Sequence, residues 1–209
     1  MATKAAALVN AADYDNGGEH LIALAQPYRV EATIQGTAAI LFNRFSVEDY
    51  SERQSSGKGS KKRKADRDPE SQIWRLPNGE VGIPGLWLRG AIIKAAKFRP
   101  DPRSPRASAM ELYKAGVLVT TEVASLGKGS WDYLDQARAV VQRQAVPRIR
   151  PAFAPGWSAT FAIEVIVPEY IASSDLHDTL ANAGRFFGIG DHRPTYGRFQ
   201  VVRFDVLDD

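Results

Sequence analysis

The sequence predicts an α+β domain whose elements follow in the order strand, helix, strand, strand, helix, strand. Two patterns carry this prediction: short segments in which apolar and polar residues alternate, and longer segments with the apolar spacing of amphipathic helices. Apolar residues make up 44% of the 209 residues, a proportion typical of a globular protein. The absence of cysteine excludes disulfides, cysteine-bound metals and thiol catalysis.

The first strand is predicted within residues 28–45, where Val30, Ala32 and Ile34 alternate with polar side chains. Residues 38–42 are expected to continue it into the core. Further strands are predicted at residues 115–124, 157–167 and 196–206. Residues 137–145 allow either a helix or extended chain, because Val140 and Val141 favour the extended form.

Two helices are predicted between these strands. The first covers residues 86–98, with an apolar stripe formed by Leu88, Ile92, Ala95 and Ala96. The second covers residues 173–187 and ends at Gly188. Its expected N-cap is Ser173, Ser174 or Asp175.

This element order is that of a split βαβ fold, which is ferredoxin-like and RRM-like. We expect an N-terminal extension at residues 1–27 and a single domain at residues 28–209, with a basic insertion at residues 46–72. Within that insertion, residues 51–68 hold seven Lys or Arg and three Asp or Glu, whereas the rest of the chain sums to −1. A local basic segment of this kind can engage phosphates while the body stays nearly neutral.

Several classes of function find no support in the sequence. No apolar run approaches the roughly 20 residues that a membrane helix needs, so we expect a cytoplasmic protein with no membrane partner. His20, His177 and His192 are not spaced as metal ligands with other residues. No paired-carboxylate or Ser-His-Asp constellation can be assembled, so no catalytic residue, metal or cofactor is predicted.

Residues 184–199 form a glycine-rich segment, GRFFGIGDHRPTYGRF, between the second helix and the last strand. Glycines at this density allow positive φ and can expose backbone N–H groups, which beside Arg193 and Arg198 would suit a phosphate. The alternative is a tight helix-to-strand connection in which Asp191 pairs with Arg193.

A second segment, Ile83-Pro84-Gly85, stands just before the first helix. Free N–H groups at a helix N-terminus favour an anion. Arg89 lies near this end, against the usual charge preference. This placement suggests either a phosphate contact or a pair with an acidic residue elsewhere.

Together these segments resemble the CRISPR-associated RAMP superfamily, in which Ile-Pro-Gly-x-x-Leu-(Lys/Arg)-Gly leads into the first helix and a glycine-rich loop precedes the last strand. Ile83-Pro84-Gly85-Leu86-Trp87-Leu88-Arg89-Gly90 matches the first motif, and residues 188–199 are similar to the second. The resemblance implies ferredoxin-like architecture and is nearest to the backbone subunit of effector complexes. Such subunits stack head to tail on guide RNA, and a projecting thumb kinks the strand.

The resemblance implies that the basic insertion plays a projecting or strand-gripping part. RNA-cleaving members carry an aspartate in a loop after the first strand, and Asp49 is near that position but nothing in the sequence activates it. A stand-alone phage or mobile-element relative fits the same motifs as well as an effector subunit does.

The leading hypothesis is therefore a sequence-independent binder of single-stranded nucleic acid that assembles head to tail along the strand, as a homo-oligomer or with other effector-complex subunits. RNA is the favoured ligand, and single-stranded DNA is the alternative. The candidate binding residues are Arg44, Lys58, Lys61, Lys62, Arg63, Lys64, Arg89, Gly188, Gly190, His192, Arg193 and Arg198. Candidate base-stacking residues are Phe42, Phe45, Trp74, Trp87 and Tyr196, for each of which core packing is the alternative. Two other hypotheses are a metal-independent endoribonuclease with His192 or His20 as base, and an assembly protein that binds no nucleic acid.

Overall fold

The computed structural model describes residues 26–44, 68–136, 138–141, 144–147 and 149–207. The strands in these ranges are β1 (Tyr28–Gly36), β2 (Ile40–Leu41), β3 (Trp74–Arg75), β4 (Val81–Pro84), β5 (Pro100–Asp101), β6 (Ser104–Ser108), β7 (Val117–Val119), β8 (Val123–Ser125), β9 (Tyr133–Asp135), β10 (Arg138–Val141), β11 (Gln144–Pro147), β12 (Arg150–Phe153), β13 (Ser158–Val165) and β14 (Phe199–Leu207). The α-helices are α1 (Gly85–Ala95), α2 (Met110–Gly116) and α3 (Ser173–Asn182). Shorter 3-10 turns lie at Pro69–Gln72 and Ala96–Phe98, and a π-helical turn, Ala183–Phe187, extends α3.

The central sheet has the strand order β14-β1-β13-β7, and each neighbouring pair is antiparallel. Helix α1 lies in the connection from β1 to β7, and α3 lies in the connection from β13 to β14. This is the arrangement of two interleaved split βαβ units. The predicted ferredoxin-like α+β fold is therefore confirmed.

The core lies between one face of this sheet and the helices. Val30, Ala32 and Ile34 of β1 are fully buried, and the opposite residues of the strand are only half-buried or exposed. The predicted apolar stripe of α1 is confirmed, since Leu88, Ile92, Ala95 and Ala96 are all buried. Burial of Leu88 and of Ile92, the two large side chains of this stripe, contributes roughly 1.5–3 kcal/mol each.

The first predicted strand is two strands in different sheets. β1 ends at Gly36, where a Cβ atom would lie 2.0 Å from the Nε1 atom of Trp157. The chain then leaves the central sheet, and β2 pairs with β12. Residues 38–42 are thus next to the core as expected, but in a second sheet.

The predicted strand at residues 115–124 also divides. β7 pairs with β13, whereas β8 pairs with β4, so residues 120–122 turn the chain from one sheet to the other. Helix α2, just before β7, has no counterpart among the predicted elements. The N-cap of α3 is Ala172, which has no side chain able to cap, and not one of the three predicted residues.

Within the ambiguous segment at residues 137–145, residues 138–141 and 144–145 lie in strands. β10 and β11 pair antiparallel with Arg138 opposite Pro147, and β9 and β12 pair Asp135 with Arg150. β10 and β11 form a two-stranded sheet, whereas β9 and β12 belong to a three-stranded sheet with β2. Among the described residues, no helix combines the length and apolar character needed to span a bilayer.

Candidate nucleic-acid interface

The glycine loop, residues 188–198, lies against the chain that follows β1. The N–H of Thr37 donates to the carbonyl oxygen of Arg198 at 2.9 Å, and the N–H of Gly197 donates to Ala39 at 2.7 Å. The N–H of Asp191 donates to the carbonyl of Leu41 at 2.9 Å. The loop therefore packs against the end of the sheet at which β1 ends and β14 begins.

The glycines of this loop are needed for close backbone packing. Gly188, Gly190 and Gly197 have φ values of 65°, 86° and 74°. A Cβ atom on Gly197 would lie 1.6 Å from the carbonyl oxygen of Ile189, whose own N–H donates back to Gly197 at 2.9 Å. Such contacts leave no room for any side chain.

These bonds correct, for five residues, the expectation that the glycine loop exposes its backbone N–H groups. The N–H of Gly188 donates to the carbonyl of Ala183, and those of Ile189, Asp191, Tyr196 and Gly197 also donate to carbonyls of this chain. The loop is the tight helix-to-strand connection that the sequence analysis kept as its alternative. Phosphate contacts at Gly188 or Gly190 remain a prediction.

Asp191 pairs with Arg150 and not with Arg193. The Nε of Arg150 donates to Asp191 Oδ2 at 2.7 Å, and Nδ2 of Asn43 donates to the same oxygen at 3.1 Å. The Arg150 side chain is only 3% exposed. Partial burial acts to raise the pKa of Asp191, but the charge and hydrogen bond of Arg150 outweigh it and hold that pKa below its usual range.

Arg150 is the important residue of this end that the sequence analysis missed. It lies in a proline-flanked segment with other basic residues, and no local pattern marks it as the buried one. Its position follows from the pairing of β12 with β2, because the glycine loop also bonds to β2 through the N–H of Asp191 and the carbonyl of Leu41.

Three polar side chains of the glycine loop face solvent. His192, Arg193 and Arg198 are all exposed, and Nε of Arg198 donates to the carbonyl of Pro194 at 2.9 Å. The His192 ring lies 5.9 Å from that of Tyr196, whose hydroxyl donates to Asp135 at 3.3 Å. No group of three or more His, Asp or Glu in the described ranges is placed to hold a metal.

The start of α1 is also built by close packing. The N–H of Gly85 donates to the carbonyl of Glu122 at 2.9 Å, and a Cβ atom on Gly85 would lie 2.0 Å from the carbonyl oxygen of Thr121. This N–H group is therefore not available to an anion. The Ile-Pro-Gly segment docks α1 onto the turn between β7 and β8.

Arg89 satisfies backbone carbonyls and pairs with no acidic residue of the described chain. Its Nε donates to Val117 at 3.1 Å and its Nη2 donates to Lys114 at 2.6 Å. These carbonyls belong to the C-terminal end of α2, where a cation is favoured by the helix dipole. This contact gives Arg89 a structural reason for its position, and a phosphate contact there remains a prediction.

Arg44 lies at the exposed edge of an aromatic cluster. The Arg44 guanidinium is 5.7 Å from the centroid of the Trp74 ring. The backbone N–H of Arg44 donates to the carbonyl of Gln72 at 2.8 Å. Phe42 is fully buried, which rules it out as a stacking surface, while Trp74 and Trp87 are half-buried. The remaining predicted residues lie outside the described residues: His20, Phe45, Asp49, Lys58, Lys61, Lys62, Arg63 and Lys64.

The open face of the central sheet lacks the aromatic residues on which RRM domains stack bases. On β1 it presents Arg29, Glu31, Thr33 and Gln35, and on β13 the residues opposite them are small or polar. Among the described residues, the half-buried aromatic side chains and the exposed cations named in the sequence analysis lie instead near Arg44 and in the glycine loop.

Comparison with known proteins supports this fold. The chain matches no protein-family model and no curated protein sequence. Its structure is similar to a chain in the cryo-EM structure of the Type III-B Cmr-beta bound to cognate target RNA, with a TM-score of 0.52 and 13% sequence identity. The match covers 87% of this chain but only 61% of that chain, so this protein spans about three fifths of its structural neighbour. At this identity the likeness shows a shared fold.

Proposed function

We propose that this protein binds single-stranded RNA without sequence preference and assembles head to tail along the strand, as a CRISPR-type backbone subunit or a viral relative. The observation that carries the proposal is the packing of the glycine loop, with its exposed cations, against the chain that follows β1 at one end of the sheet. Arg193 and Arg198 lie in that loop, and Arg44 is an exposed residue of the segment against which the loop packs. Sequence-independent binding needs such cations on phosphates beside aromatic rings.

The structural neighbour supports the choice of RNA. That chain belongs to a structure bound to target RNA, and it shares the fold across most of this protein. The local charge points the same way, because the basic residues of 51–68 contrast with a body that is close to neutral. DNA binding is the second arm of the test.

The test is binding to 40-nucleotide single-stranded RNA and DNA across a salt series. Replacing Lys61, Lys62, Arg63 and Lys64 by Ala removes four cations from the basic insertion. If each contacts one phosphate, the slope of log affinity against log salt becomes shallower by about 2.8. An unchanged affinity and slope would remove the insertion from the mechanism.

A matched control removes the same charge elsewhere. Four exposed cations lie on α1, the 3-10 turn after it, β6 and α2: Lys94, Lys97, Arg106 and Lys114. Replacing all four by Ala changes the net charge by the same amount, and we expect a smaller change in slope than for the insertion variant. An equal loss would show that binding follows overall charge and not a defined site.

Assembly is tested by the number of protein copies bound per strand. For a head-to-tail filament, the copy number measured by native mass spectrometry rises in proportion to RNA length. A fixed copy number on 20-, 40- and 60-nucleotide strands would contradict filament formation. Assembly that persists unchanged after nuclease treatment would favour an assembly protein without nucleic acid.

A further inference from the structure

A cluster of four aromatic rings runs from the core to the surface beside the candidate interface. Phe42 and Phe153 are fully buried with ring centroids 5.4 Å apart. Phe42 contacts Trp87 at 5.4 Å, and Trp87 contacts Trp74 edge-to-face at 5.0 Å. The two half-buried indoles therefore form the outer edge of the cluster, held in place by the buried rings.

The indole N–H groups of this pair make no hydrogen bond to the described part of the chain. By contrast, Nε1 of the buried Trp157 donates to the carbonyl of Ala38 at 2.8 Å. Among described residues, neither Trp74 nor Trp87 has a buried unsatisfied atom. Since a buried indole N–H normally finds an acceptor, both N–H groups face solvent at the edge of the cluster.

Cations flank the same cluster on two sides. The Arg44 guanidinium lies 5.7 Å from the Trp74 centroid, and Nζ of Lys128 lies 5.9 Å from that of Phe153. The neighbour of Arg44 in sequence, Asn43, bonds to Asp191 of the glycine loop. Aromatic faces beside cations are the combination that binds single-stranded nucleic acid through its bases and phosphates.

We infer that Trp74 and Trp87 form a nucleobase subsite, in which a base packs on the exposed indole surface and Arg44 contacts the adjoining phosphate. This inference rests on the proposed RNA binding and assigns a base contact to it. The two indole N–H groups donate to base or ribose oxygens. Because every base offers a flat face and an oxygen or nitrogen acceptor, the subsite is indifferent to sequence.

The test compares RNA binding by Trp74→Leu and Trp87→Leu with binding by wild type. Stacking on one base is worth about 1–3 kcal/mol, so each variant should bind RNA about 5- to 150-fold more weakly. The matched control is Phe98→Leu, because Phe98 is 66% exposed on the turn after α1 and lies outside the cluster. The control should bind as wild type does.

A second measurement covers the case in which a leucine variant fails to fold. Trp74→Phe and Trp87→Phe keep an aromatic ring in the cluster. RNA should quench the intrinsic tryptophan fluorescence of wild type, and it should quench the fluorescence of the double Phe variant much less. If wild type binds RNA while the folded variants bind equally well with the same quenching, the indoles only pack the core and the subsite is refuted. If wild type binds no RNA, the proposed function fails instead.

Discussion

Two glycines of the same motif, Gly85 and Gly90, allow the packing explanation of the α1 start to be tested directly. A Cβ atom on Gly85 would lie 2.0 Å from Thr121 O and 2.9 Å from Val119 Cγ1, whereas a Cβ atom on Gly90 meets nothing within 4 Å. Gly85 is the first residue of α1 and Gly90 lies in its interior, so the gain in helix propensity from alanine applies mainly at Gly90. A loss of stability at Gly85 together with a gain at Gly90 therefore reports the contact with the β7–β8 turn.

Gly85→Ala forces α1 away from Thr121 by about 1.4 Å before the contact becomes an ordinary van der Waals distance. Overpacking of this kind costs roughly 1–3 kcal/mol, and loss of the bond from Gly85 to Glu122 costs about 1 kcal/mol more. Gly90→Ala instead stabilises the folded state by about 0.5–1 kcal/mol, because alanine is the better helix former.

Thermal and urea unfolding measure both changes. For a chain of this size each kcal/mol moves Tm by about 2–4 °C, so Gly85→Ala should melt roughly 5–15 °C lower than wild type and Gly90→Ala slightly higher. Equal shifts for the two variants, or a Gly85→Ala protein as stable as wild type, would refute the claim that this glycine is required for packing.

Three further substitutions test the core and the glycine loop. Asp191→Asn removes the charge that faces the buried Arg150, so urea unfolding should show a loss of about 3 kcal/mol at pH 7. Folding lowers the pKa of Asp191, so the ionised carboxylate stabilises the folded protein fully above the unfolded pKa, and this stabilisation disappears as pH falls through the folded pKa. The difference in unfolding free energy between wild type and the Asn variant should therefore become small in acid. Gly197→Ala should lower Tm far more than Gly127→Ala. Both glycines have positive φ, but a Cβ atom on Gly127 meets nothing within 4 Å. Equal decreases in Tm would mean that the positive φ, and not the close contact, determines the loss of stability. Tyr28→Phe removes the hydroxyl that donates to a backbone carbonyl at 3.0 Å and should cost about 1 kcal/mol of unfolding free energy, and no measurable loss would show that this bond adds nothing.

The sequence predicted the elements that build the core, and for a physical reason. Each of the four core elements β1, β13, α1 and α3 buries one face, so its apolar residues recur with the period of a strand or a helix. The short strands of the smaller sheets carry no such signal. β2 and β12 are buried throughout, and α2 is only seven residues long, so neither alternation nor helical spacing could identify them.

The candidate site was predicted less completely, because charges were assigned from local sequence alone. Arg89 was expected to contact a phosphate or an acidic residue, yet it bonds to carbonyls at the end of α2, a helix absent from the predicted elements. Asp191 has Arg193 two residues away, yet it pairs with Arg150, which is 41 positions away in sequence. The pairing of β12 with β2 brings Arg150 to the glycine loop. In both cases a tertiary contact supplies the partner, and local sequence does not show it.

The glycines of the two motifs and the exposed cations have separate physical roles, and this separation predicts how their substitutions behave. Gly85 and Gly197 let backbones approach closely, so replacing them should reduce RNA binding only as far as it unfolds the protein. Arg193 and Arg198 are exposed, and surface substitutions usually change stability by no more than about 0.5 kcal/mol. Their replacement should therefore weaken RNA binding in a protein that melts as wild type does. Closely packed glycines beside exposed cations would let the same motif segments serve both packing and the proposed binding.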